Sequence, residues 1–183
     1  EYDVELGPSA RAREVLAVLL REHGVVGKLR RGERVLWPLQ RVRSNVLSFT
    51  PQSINIDLTV GNVATDLAAG RYDRAPAVET ALVGPGNRPL DHQIKMLRRL
   101  PRLRHLICEA HCEQDVDEVI LPLTLERITV RFPVNQCSWL EEKLRDLPLR
   151  DADLVYGGTG GGDCLSWLPA KLETLRVRGG VAE

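Results

Sequence analysis

Aromatic residues are scarce, at 4% of the chain. So few rings leave little on which nucleic-acid bases can stack. A charge excess is missing as well, since 25 basic and 25 acidic residues give a formal net charge of +0. No global field therefore draws the chain to a polyanion or a membrane surface. No apolar run approaches the ~20 residues needed to span a bilayer, and no signal peptide opens the sequence. Four cysteines in 183 residues are too few for a disulfide framework. These absences point to an intracellular, reducing setting, and we expect the cytoplasm. The sequence starts at Glu1 and not Met, so a fragment, a processed product or a renumbered chain is expected.

What is present is a repeated phrase: apolar, two spacers, apolar, one spacer, apolar. Its best copies are Leu103, Leu106, Cys108, then Leu125, Ile128, Val130, then Leu172, Leu175, Val177. Weaker copies are Val78, Ala81, Val83 and Leu149, Ala152, Leu154. The poorest is Ile56 with Leu58. The central positions 56, 81, 106, 128, 152 and 175 advance by 25, 25, 22, 24 and 23 residues. Self-similarity at such a period is the signature of a stacked array. Alternating apolar residues make a short strand with one buried face. A lone strand cannot bury that face, whereas stacked parallel neighbours bury a continuous column. The register of the copies near Leu82 and Leu154 stays open by one residue.

The phrase resembles the leucine-rich repeat family. Leu168-Pro169 to Val177, and Leu121-Pro122 to Val130 followed by Phe132 and Asn135, look like its FNIP variety. The resemblance covers about residues 50 to 180. It implies an α/β solenoid, with a parallel sheet on one face and helices or loops on the other. It also implies protein recognition on the strand face. The family's asparagine after each strand is not at a constant offset here, because His111, Pro133 and Gly180 sit near that place. An irregular array is therefore expected.

Parallel strands need crossover connections, and several stretches suit that role. Leu90 to Leu100 carries apolar residues at helical spacing. Asn62 to Ala69 is a shorter helix candidate, and Ser138 to Glu141 is a capping box opening a helix to about Asp146. Ala75 to Arg88 ends its strand phrase in a Gly-Pro-Gly turn. Upstream, Pro8-Ser9 opens an amphipathic helix ending near Gly24. Val35 to Trp37 and Val46 to Phe49 read as strands, paired as a hairpin. Residues 1–50 are thus expected to cap the repeats of 51–183. Lys28 to Arg34 reads as a solvated basic run, and Lys95, Arg98, Arg99, Arg102 and Arg104 form a second basic cluster.

Catalytic signals are weak. Gly157 to Asp163 is glycine-rich but lacks the Lys-Ser/Thr of a phosphate-binding loop. Cys112 beside His111, and Cys164 beside Asp163, are adjacent in sequence only, and nucleophilic catalysis needs convergence in space. His105, Cys108, His111 and Cys112 invite a metal reading. Cys108, however, belongs to the buried phrase, and no C-x-x-C pair supports zinc. We therefore expect no enzyme, no cofactor and no metal.

The expected function is a non-catalytic scaffold for protein–protein interaction. The partner-binding residues are the solvent-facing ones of the strands: His105, Glu109, Arg127, Thr129, Arg131, Asp151, Asp153, Arg176 and Arg178. Their arginines are expected to serve binding and not folding. Mixed charge suits a protein surface better than a polyanion. The alternatives are an RNA-associated subunit of a ribonucleoprotein, through the two basic clusters, and a substrate-recognition subunit of a ubiquitin ligase. The last copy, at Leu172 to Val177, has little after it to cover it. That edge is expected to meet further repeats, a partner or a second copy by self-association.

Overall fold

The computed structural model describes residues 10–31, 34–40, 42, 48–109, 120–133, 143–157 and 168–180. The protein is α/β, with a six-stranded parallel sheet and a small antiparallel sheet. It divides into two compact units, residues 1–54 and 55–183. Among the described residues no helix is long and apolar enough to cross a membrane.

In the first unit, helix α1 (Ala12–His23) is followed by strands β1 (Val26–Arg31), β2 (Arg34–Val35) and β3 (Ser48–Gln52). The Arg11 N–H donates to Glu14 Oε2 at 3.1 Å, which satisfies one of the free donors at the helix start. Gly24 ends the helix at φ 59°, a left-handed conformation that favours glycine. The expected opening at Pro8-Ser9 lies outside the described residues. Ala12, Val15 and Leu19 of the helix pack with Val25, Leu29 and Leu36.

The expected hairpin is corrected here. β2 and β3 do not pair with each other; both flank β1, in the order β2-β1-β3. The central strand is the run that reads as a solvated basic segment. Lys28 and Arg30 are exposed while Leu29 between them is 3% exposed. Charge on the outer face hides the strand alternation from a composition-based reading.

The second unit holds β4 (Ile54–Asp57), α2 (Gly61–Ala68), β5 (Val78–Val83), α3 (Leu90–Met96), β6 (His105–Cys108), β7 (Arg127–Pro133), β8 (Asp151–Gly157) and β9 (Thr174–Gly180). Sheet order equals chain order, β4 to β9. The register joins Ala81 to Leu106, Leu106 to Ile128, Ile128 to Ala152, and Ala152 to Leu175. These are the central positions of five copies of the phrase. No slip occurs at Leu82, which pairs with Ile107. Beside Leu154 the β7–β8 register does shift: Thr129 faces Asp153, but Val155 faces Pro133 instead of Arg131. That irregularity carries Arg131.

A tight turn precedes each of β6 to β9. Leu103 N–H donates to Leu100 O, Leu125 to Pro122 O, Leu147 to Leu144 O and Leu172 to Pro169 O. Arg104, Glu126, Arg150 and Glu173 then donate to the carbonyl of the residue one copy earlier, starting from Glu79. These five positions alternate in charge, and Arg104–Glu126 at 4.0 Å and Arg150–Glu173 at 3.7 Å are ion pairs.

Ala81, Val83, Leu106, Cys108, Ile128, Val130, Ala152 and Leu154 are all buried on one face of the sheet. Leu58, Leu67, Ile94, Leu97, Leu100, Leu103, Leu125, Leu144 and Leu149 add fully buried side chains from the connecting segments. The expected helices at Asn62 to Ala69 and Leu90 to Leu100 are present as α2 and as α3 with a 3-10 turn, Leu97–Arg99. Gln93 is a buried polar side chain of α3. Its amide donates to Gly84 O at 2.8 Å and Arg88 O at 2.9 Å, and its Oε1 accepts from Gly84 N at 3.1 Å. That clamp closes the Gly-Pro-Gly turn after β5. Gly86 is needed there because a Cβ would stand 2.5 Å from Thr59 O. The capping box at Ser138 to Glu141 lies outside the described residues, although Lys143 and Leu144 are helical.

One expected core position needs correction. Leu175 occupies the register site equivalent to Leu106 and Ile128, but it is 41% exposed while they are fully buried. Val177 is 45% exposed. No strand flanks β9 on its outer side among the described residues. The apolar side chains of an end strand have neighbours on one side only.

Candidate functional site

Strand alternation sends every second residue of β5 to β9 to the face opposite the core. The parallel register sorts these residues into rows across the sheet. The first row is Thr80, His105, Arg127, Asp151, Thr174. The second is Leu82, Ile107, Thr129, Asp153, Arg176. Beyond them lie Glu109, Arg131, Val155 and Arg178. All nine residues expected to bind a partner belong to this open face.

Neighbouring strands bring opposite charges together, the arrangement that stabilises a sheet face. Arg127 donates to Asp151 Oδ2 through Nε at 3.1 Å and Nη2 at 3.0 Å. Arg178 Nη2 donates to Asp153 Oδ2 at 2.6 Å, and Arg131 Nη1 donates to Glu109 Oε1. His105 Nε2 lies 3.0 Å from Thr129 Oγ1. Three of the four face arginines therefore hold strands together. They are not reserved for binding, as the sequence alone leads one to expect. Arg176 is the exception, with no hydrogen bond or ion pair among the described residues.

These contacts set the titration of the face. Hydrogen bonds from Arg127 and then Thr174 hold the Asp151 carboxyl below its ordinary range, and the charges of Arg127 and Arg176 add to this. Partial burial, and next the Arg127 cation, hold His105 below the ordinary imidazole value, with Asp151 opposing. His105 is thus a neutral imidazole at neutral pH.

Two adjoining grooves cross the face. One, of about 340 Å³, is lined by His105, Arg127, Thr129, Asp151, Asp153, Thr174 and Arg176 with the backbone side of Ile128 and Ala152. The other, of about 510 Å³, is lined by His105, Ile107, Thr129, Val130, Arg131, Asp153, Val155 and Arg178. His105, Thr129 and Asp153 border both, so Thr129 stands at the centre of the candidate site. Ile107 and Val155 are half-buried there and lend it apolar surface.

Among the described residues no group of three or more His, Cys, Asp or Glu converges on one point. Cys108 is a buried free thiol. His111, Cys112, Asp163 and Cys164 lie outside the described residues. The second basic cluster faces solvent in part: Lys95, Arg98, Arg99 and Arg104 are exposed, and Arg102 is half-buried.

The chain matches no protein-family model, no curated protein and no solved structure.

The ion pairs ahead of the strands, Arg104–Glu126 and Arg150–Glu173, were missed by reading each strand alone. Their signal lies in the column two residues before each central apolar position, which reads Glu79, Arg104, Glu126, Arg150, Glu173. Stacking the copies would have exposed it. No local pattern announces the irregularity between Thr129 and Pro133.

Proposed function

We propose that residues 51–183 form an irregular leucine-rich-repeat-like solenoid that acts as a non-catalytic scaffold, with the open strand face binding a protein partner in an intracellular compartment. The observation that carries this reading is the double groove around Thr129. Half-buried apolar residues, neutral His105 and Arg176, a cation with no hydrogen bond or ion pair among the described residues, line it beside carboxylates already held by arginines. Such a surface offers apolar contact and directional polar groups together, as protein interfaces do.

Three carboxylates, Glu109, Asp151 and Asp153, interleave the arginines of this face. They repel a phosphate backbone, so the face favours protein over RNA. RNA binding through the exposed basic residues of β1 and of Lys95 to Arg104 ranks second. A salt titration separates the two, since phosphate contacts give a steep dependence of affinity on ionic strength.

The test of the first reading is a quantitative pull-down comparing three proteins: the unaltered chain, Thr129→Trp and the double variant Arg98→Glu, Arg99→Glu. Filling the groove at Thr129 should remove the specific partner. Reversing charge at Arg98 and Arg99 should leave it bound. The opposite pattern places recognition away from the strand face.

A further inference from the structure

The larger groove of the open face, of about 510 Å³, has a floor and walls of different chemistry. Half-buried Ile107 and Val155 give an apolar floor, with Thr129 on the strand between them. The walls are Arg131 and Arg178. Their side chains are 59% and 69% exposed, whereas the carboxylates that hold them, Glu109 and Asp153, are 32% and 22% exposed. Each guanidinium therefore rises above the sheet, tethered to it by a carboxylate lower down. A carboxylate bonds a guanidinium in its plane, through the N–H groups, and leaves the flat faces for stacking. The tether also removes rotamer freedom beforehand, so a stacking partner costs less entropy on arrival. The two cations are matched by two carboxylates, so these walls select for neither sign of charge.

We propose that this groove takes a tyrosine side chain of the protein partner, its ring lying on Ile107 and Val155 beside the Arg131 and Arg178 guanidinium groups. Its hydroxyl meets the polar rim formed by His105, Thr129 and Asp153. Tyrosine joins a flat apolar body to a polar tip, and aromatic anchors in pockets carry much of the energy of protein interfaces. A leucine uses the floor alone. A carboxylate or an ammonium uses one partner of each wall pair and is opposed by the other. The inference rests on the strand face as the partner-binding surface and names the side chain which that surface receives.

The experiment titrates the whole chain with the N-acetyl amides of tyrosine, leucine, aspartate and lysine, and follows methyl signals by nuclear magnetic resonance. The tyrosine amide should bind saturably, with a Kd on the order of 1 mM for so small a ligand. It should bind about three- to tenfold more tightly than the leucine amide, the range of one aromatic contact. Its ring current should move the Ile107 and Val155 methyl signals upfield. Arg131→Lys with Arg178→Lys keeps the charge pairs but removes the planar groups, and should bring the tyrosine amide down to the affinity of leucine. Tyrosine binding no tighter than leucine in the unaltered chain overturns the proposal. So does preferential binding of the aspartate or lysine amide, or the absence of a saturable ring-current shift at Ile107 and Val155. Concentration-dependent self-association in sedimentation that Thr129→Trp removes also overturns it, since the occupant is then a second copy. The two readings fail separately. A partner lost from Thr129→Trp while no amide binds leaves the strand-face reading standing and removes this one. A partner retained by Thr129→Trp removes the strand-face reading, whatever the amides do.

Discussion

Strands β7 and β9 are entered through nearly the same words, L-E-R-I-T-V from Leu125 and L-E-T-L-R-V from Leu172. Their fates differ. Ile128 and Val130 are buried, whereas Leu175 and Val177 lie more than two fifths exposed. Both strands share one sheet and one register. The difference comes from what lies around them. Leu121, Leu125, Leu144, Leu147 and Leu149, in the lead-ins to β7 and β8, are buried, while Leu168 and Leu172 before β9 are only half-buried. Periodicity decides which way a side chain points. Neighbours decide whether anything covers it.

The largest effect should come from testing that contrast directly. Ile128→Ala removes a fully buried side chain and should cost about 2 to 5 kcal/mol in urea unfolding. Leu175→Ala, at the equivalent site, should cost less, about 1 to 1.5 kcal/mol, because it is 41% exposed and part of its transfer energy is not realised in the fold. Equal losses at both positions would mean that β9 is covered.

A second comparison sets the turn after β5 against β9. At β5 the turn is locked by a buried amide. Gln93→Leu would strand the buried Gly84 N–H and C=O and should cost about 1 to 3 kcal/mol. A loss near zero in the same unfolding measurement would show that water replaces the amide there.

The smallest effect is a pH dependence that sharpens the contrast between paired and unpaired charge on the open face. His105 has a folded-state pKa below 6.5, so the unfolded chain takes up its proton first. Stability should therefore be fully present above 6.5 and fall as pH drops below it, down to the folded value. Asp151, held below 3.8, adds a further loss at lower pH as its carboxylate is protonated. His105→Asn should flatten the melting temperature between neutral pH and about pH 5 and leave the acid limb in place. An unchanged profile would mean that the imidazole is not desolvated.

Much of the sheet was legible because its signal is local and repeated. The spacing of Ala81, Leu106, Ile128, Ala152 and Leu175 is the register itself. Open-face membership of Arg127, Asp151 and Arg176 followed from alternation alone. What escaped depends on contacts distant in sequence. The shift that sets Val155 opposite Pro133 instead of Arg131 is marked by no residue pattern. The role of β1 was hidden because Lys28 and Arg30 outweigh Leu29 in any reading by charge. The exposure of Leu175, on the last strand among the described residues, is not marked by the phrase itself and was anticipated only from the place of that copy in the array.

Methyl–methyl nuclear Overhauser effects offer the most direct test of the central claim, that consecutive copies of the phrase lie on consecutive strands in one register. Ala81, Leu106, Ile128, Ala152 and Leu175 all carry methyl groups. The account predicts an unbroken series of contacts, each residue touching only the next in that order, with Leu175 contacted from one side. Contacts that skip a copy, or that join Leu106 to Ala152 without Ile128 between them, would contradict it.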